Sequence, residues 1–141
     1  MNPVSEDVKD VLVTESVGTF PASSATGSEW GISVGHETDS PDTMITLYDT
    51  PGGSTGLVMD KTVVPTEHPM FQVRVRCFGY KTGYAKLQAI MDLFDNSYRS
   101  WSVTGARYLG VFRSGNPVHI GQDDKGRDLW VVNYRVVREE V

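Results

Sequence analysis

Cysteine is nearly missing from this chain. The 141 residues hold one, Cys77. An internal disulfide is therefore excluded, and nothing points to an oxidising compartment. Long apolar runs are also missing. No stretch approaches the roughly 20 residues that span a bilayer, so no membrane partner is expected. The first residues lack the basic-then-apolar layout of a signal peptide, and a soluble, cytosolic chain is the expectation. Clustered basic charge is missing too. Thirteen Lys and Arg stand against 18 Asp and Glu, a net charge of -5. Tight binding to nucleic acid needs grouped cations that displace counterions, and no such group is visible.

Catalytic and metal-binding patterns are equally sparse. His36, His68 and His119 are scattered and have no second thiol near them, so no zinc-type ligand set forms. Gly31-Ile32-Ser33-Val34-Gly35 and Gly52-Gly53-Ser54-Thr55-Gly56 spell Gly-x-Ser-x-Gly, but no helix pattern follows either, so no serine sits in a nucleophile elbow. Asp49-Thr50-Pro51-Gly52 has a proline where an aspartic protease has glycine, and a second copy to complete the dyad is missing. Gly52-Gly53-Ser54-Thr55-Gly56 lacks the lysine of a phosphate-binding loop. Asp123-Asp124-Lys125-Gly126 lacks the later Glu of a calcium loop and reads better as a hairpin turn. No catalytic residue, metal or cofactor is assigned. An active site assembled from distant residues stays open as an alternative.

What is present is a patterned α+β chain. Length and ordinary hydrophobic content predict one domain over residues 1–141 with a real core. Val8, Val11 and Leu12 lie at helical spacing after Asn2-Pro3 or Ser5, and Gly18 can end that helix. Residues 21–29 are small and polar, and a flexible loop is read over about 20–29. Trp30, Ile32 and Val34 alternate as a strand, and Met44 to Tyr48 form the next. Residues 50–69 read as a long middle loop, either a loose hairpin with a strand near Thr62-Val63-Val64 or an arm that docks on a neighbour. Phe71 to Cys77 alternates strictly. Thr82 can cap a helix whose apolar face is Tyr84, Leu87, Ile90, Met91 and Phe94. Arg107–Arg113 and Asp128–Arg138 read as closing strands. The expected architecture is a mostly antiparallel sheet of four to five strands with two helices packed on one face.

Several of these pieces resemble the tail terminators of long-tailed bacteriophages, a family of minor capsid or head–tail joining proteins. They are Pro41-Asp42 through Gly53, Gln72-Val73-Arg74-Val75-Arg76, Tyr84-x-x-Leu87, and Gly121-x-Asp123-x-x-Gly126-Arg127. The resemblance implies a homo-oligomeric ring, hexameric in this family, at the top of the tail in the virion neck. One face would meet the tail tube protein and the other the head-completion or connector protein. DNA would pass through the lumen without specific binding, and assembly would take place in the host cytoplasm. Another neck component or a tail-tube-like subunit is the alternative within that class.

On this reading the ring interface draws on Asp49, Thr50, Gly52, Gly53, Leu57, Met59, Glu67, Arg74, Arg76, Arg135 and Arg138. The arginines would meet Glu67, Asp92 or Asp95 of an adjacent copy, fixing register more than affinity. The strand Asp128–Arg138, or the loop from Asp49 to Pro69, would extend a neighbour's sheet. Deleting Thr50 to Pro65 is expected to leave the fold intact and to abolish ring or tube binding.

Overall fold

The structure is a computed structural model that describes residues 1–53 and 66–141. It contains helix α1 (Val4–Thr14), a short 3-10 turn at Ala22–Ser24, strands β1 (Gly31–Val34), β2 (Met44–Gly53) and β3 (Thr66–Cys77), and helix α2 (Tyr80–Asn96). Strands β4 (Trp101–Val103), β5 (Ala106–Arg113), β6 (Val118–Gln122) and β7 (Asp128–Glu140) follow.

The α+β expectation holds, but the sheet is larger and differently wired than expected. It has seven strands in the order β1-β2-β3-β7-β5-β4, with β6 also on β7, and it curls as a half-barrel. The β1–β2 pair is parallel and the other pairings are antiparallel. β4 and β6 went unforeseen. The first is three residues long, and in the second the apolar Val118 and Ile120 are the exposed positions of the alternation while His119 and Gly121 are half-buried.

The long loop is also shorter than expected. β2 runs on through Thr50 to Gly53, and β3 already begins at Thr66. Prolines at 51 and 69 hid this, because proline cannot donate to a ladder. The expected strand near Thr62-Val63-Val64 lies outside the described residues.

β7 overturns a second expectation. It pairs with β3 along one edge and with both β6 and β5 along the other. A strand with two occupied edges cannot extend a neighbour's sheet.

Both helices lie on one face. Val4, Val8, Val11 and Leu12 of α1 and Leu87, Ile90, Met91 and Phe94 of α2 join one apolar cluster with the inward residues of β1, β2, β3, β5 and β7. Phe71 stacks on Tyr134 at 5.0 Å, and Phe94 closes over both. Each large side chain buried this way contributes about 1.5–3 kcal/mol. α1 ends at Thr14, before Gly18. α2 starts at Tyr80 after Gly79, and no side chain caps it, so Thr82 does not play the expected part. Gly83 lets α2 sit directly on the sheet, since a Cβ there would lie 2.7 Å from the Trp130 ring.

Candidate functional site: two arginine clasps and the sheet edges

The side chains that carry charge chemistry gather at two places. The first lies at the end of the helix-bearing face. Arg138 follows Tyr134 and Val136 in the strand alternation, so it points inward and is buried. Its guanidinium donates to the Asn2 carbonyl at 2.8 Å, to the Tyr108 hydroxyl at 3.2 Å and to Glu67 at 3.1 Å. Asp7, also buried, accepts from Tyr108 at 2.5 Å and lies 3.9 Å from Arg138. Burial, and then the hydrogen bond to Asp7, hold the Tyr108 phenol well above its ordinary range. The Tyr108 ring stacks on Trp101 at 4.0 Å. Four segments, α1, β3, β5 and β7, are thereby tied at one point.

The second clasp closes the opposite face. Among the described residues no helix covers that side; the connection between β1 and β2 does. Arg76 projects from β3 and is 3% exposed, while Arg127, just before β7, is 4% exposed. Arg76 donates to the Pro41 carbonyl at 2.6 Å and pairs with Glu37 at 3.0 Å. Arg127 pairs with Asp123, Asp39 and Asp42 at 2.7, 3.0 and 3.1 Å, and donates to the Asp39 carbonyl. Hydrogen bonds from Lys125 and then Arg127 hold the Asp39 carboxyl below its usual value. Burial pushes the Asp123 carboxyl the other way, but its bonds from Arg127 and Lys125 prevail and the net shift is downward. Beneath the connection, Ser33, Met44 and Thr46 are buried.

Three pieces of the resemblance, Pro41-Asp42, Arg74 to Arg76 and Asp123 to Arg127, meet in this clasp. In sequence they are far apart, and no periodicity joins them. The one local sign was the spacing of Asp123 and Arg127, four residues apart.

A third charged contact joins β6 to β7. His119 lies 2.9 Å from Asp128, which also accepts from the Gly79 backbone at the start of α2. That hydrogen bond from His119 is the main reason the Asp128 carboxyl sits below its ordinary value. The His119 ring packs against Tyr80 and Trp130. No nucleophile completes a triad here among the contacts of the described residues.

The expected interface residues are placed as follows. Asp49 accepts from the backbone and hydroxyl of Ser5 at 3.1 and 2.5 Å, so it caps the start of α1 from another element. Thr50 faces Met70 and Gly53 faces His68 across the β2–β3 ladder, with a bulge between them. At Gly52 the β3 backbone comes so close that a Cβ would lie 2.4 Å from the His68 carbonyl oxygen. A deletion beginning at Thr50 would therefore cut into a paired strand, contrary to the expectation that it spares the fold. Leu57 and Met59 lie outside the described residues.

Arg74 pairs with Glu37 at 3.4 Å and lies over the Tyr48 ring. Arg76, Arg138 and Glu67 are engaged within their own chain, as above. Arg135 lies over the Phe112 ring at 5.8 Å, and no ion pair is seen for it among the described residues. Sequence reasoning gave no site role to Asp7, Tyr108, Glu37 or Asp39, and Arg127 entered only as part of a resembling motif.

Among the described residues, no group of three or more His, Cys, Asp or Glu side chains is arranged to hold a metal ion. Among them too, no helix is long and apolar enough to cross a membrane. Cys77 is buried, and burial raises its thiol pKa.

This arrangement defines an α+β protein whose buried arginines brace its own chain around a curled, edge-bearing sheet. The family model described as bacteriophage tail terminator protein matches residues 9–140, and the chain belongs to that family. It is thus related to structural components of phage tails. No curated protein matches it.

Proposed function

We propose that the protein forms a ring that caps the finished tail tube, stops its polymerisation and joins it to the head connector. The family match over residues 9–140 carries this reading. The ring is assigned six copies of a single-domain subunit, assembled in the host cytoplasm and carried into the neck of the virion. One face meets the tube and the other the connector. DNA passes through the lumen unread, and a mildly acidic chain of net charge -5 favours sliding over sticking.

A ring needs a heterologous contact whose rotation closes. Arg76 and Arg138 serve the subunit's own shape, because both are buried among partners of their own chain. Arg74, Arg135 and the Asp49–Gly53 end of β2 are the sequence candidates left for contacts between copies or with the tube.

The test is direct. Purified protein added to growing tail tubes should halt elongation, seen as a fixed length in electron micrographs, and native mass spectrometry should show a ring of about six copies. Tubes that keep growing would overturn the capping role. A head-side component need not stop them.

A further inference from the structure

We propose that residues 36–42, the connection between β1 and β2, form a strap that opens as a unit when salt screens its ion pairs, while the sheet beneath stays folded. This goes beyond the ring reading and does not rest on it.

Four observations carry the proposal. First, the strap is held by charge. Arg74 and Arg76 donate to Glu37, and Arg76 donates also to the Asp39 and Pro41 carbonyls. Arg127 donates to Asp39 and Asp42, and Lys125 to Asp39. Among the described residues, the other hydrogen-bond contact from residues 37–42 to the rest of the chain is a long one, 3.7 Å from Thr38 to the Met44 sulfur. No residue of the strap is buried, and none joins the apolar cluster. Second, the carboxylate ends of the Arg127 pairs stand in solvent, where salt weakens them.

Third, packing does not lock the strap. A cavity of about 450 Å³ adjoins it, lined by His36, Thr38 and Ser40 of the strap, by Phe20 and by Ile32 and Val34 of β1. Pro41 lies close against Gly31, a residue with no side chain to grip it. Close-packed side chains resist motion; a strap beside a cavity meets little of that resistance.

Fourth, the two ends of the strap are pinned by backbone bonds that do not involve charge. The Gly35 N–H donates to the Leu47 carbonyl at 2.8 Å, and the Thr43 carbonyl accepts from Gly31 at 3.0 Å. The Thr43 hydroxyl adds a bond to the Glu29 carbonyl at 3.1 Å. Gly35 has a φ of 78°, a conformation that glycine adopts freely, so the chain pivots there without a side chain in the way. Motion is thus confined to the residues between two fixed points. Opening uncovers Arg76 and Arg127, now 3% and 4% exposed, together with Ser33, Met44 and Thr46. That part of the outer face then gains positive charge.

The experiment places a thiol beneath the strap, Thr46→Cys in the full chain, and follows its reaction with a small thiol reagent. Thr46 is 1% exposed, so reaction requires opening. Native Cys77, buried on the helix-bearing face, reports opening of the whole fold in the same sample. The introduced thiol should react faster than Cys77. Its rate should rise about tenfold between about 0.01 M and about 1 M sodium chloride, and that of Cys77 should not rise. Adding Arg127→Ala should make the introduced thiol fast already at low salt and flatten its salt dependence. Equal rates for the two thiols would overturn the proposal, since the strap would then open only with the fold. A rate indifferent to salt would overturn it as well. Ser33→Cys, 5% exposed beneath the same strap, gives the same readout if Thr46→Cys does not fold.

Discussion

The two arginine clasps use the same chemistry in different surroundings. Around Arg138 the partners Asp7 and Tyr108 are themselves 2% and 0% exposed. Around Arg127 the guanidinium is buried, but the Asp39 and Asp42 side chains are 68% and 57% exposed. An ion removed from the first leaves its partners with no water to turn to. An ion removed from the second leaves carboxylates that solvent can take up. The first clasp therefore fixes the fold, and the second fixes one connection on its outer face.

The sharpest way to break that comparison is Asp7→Ala. It leaves Arg138 and the Tyr108 hydroxyl short of a buried partner, and the expected loss is about 3–5 kcal/mol in urea unfolding. Asp7→Asn should recover part of it by keeping a hydrogen-bond acceptor. A loss no larger than that of Arg127→Ala would remove the distinction.

Arg127→Ala comes next. It releases three carboxylates and one carbonyl, but those groups reach water, so about 1–3 kcal/mol is expected. Hydrogen exchange should rise in residues 37–42 and stay unchanged in β3 and α2. Uniform loss of protection would show that the outer clasp is global.

Acid sharpens the contrast further. The Asp39, Asp123 and Asp128 carboxyls sit below their ordinary value of 3.8 in the folded chain. Their contribution is complete above 3.8 and is lost as pH falls through the lower folded values. The melting temperature of the wild type should drop over that window, and that of Arg127→Ala should drop less. Equal slopes would separate the outer clasp from acid sensitivity. The smallest effect belongs to Arg107→Ala, an exposed pair with Glu139, expected to change stability by about 0.5 kcal/mol or less in the same urea assay.

Legibility in the sequence followed locality. Helix α2 announced itself because Leu87, Ile90, Met91 and Phe94 repeat at the helical period and all become core. β3 did so through the alternation of Phe71, Val73, Val75 and Cys77. The parallel β1–β2 pair was hidden, because two strands nine residues apart suggest a hairpin, whereas here the chain crosses the outer face to return. The place of β7 in the sheet was invisible from its own residues, since edge and central strands share the same alternation.

The candidate site fared worse for the same reason. Arg76 and Arg138 carry no mark in sequence of what they will meet 30 or more residues away. On a strand they look like surface charges, and only the connection and α1 bury them. Gly52 and Gly53 suggested a loop, yet they serve a close ladder. The family itself was readable, because order and spacing of weak motifs survive without knowledge of their contacts.

One consequence follows from the place of β7. The strand that zips β3 to both β5 and β6 comes after all of them in the chain, so a nascent polypeptide on the ribosome holds two unjoined half-sheets until residues 128–140 emerge. Closure must then span large sequence separations, which slows folding. Synthesis itself acts as a timer that withholds the finished sheet until its last strand is made.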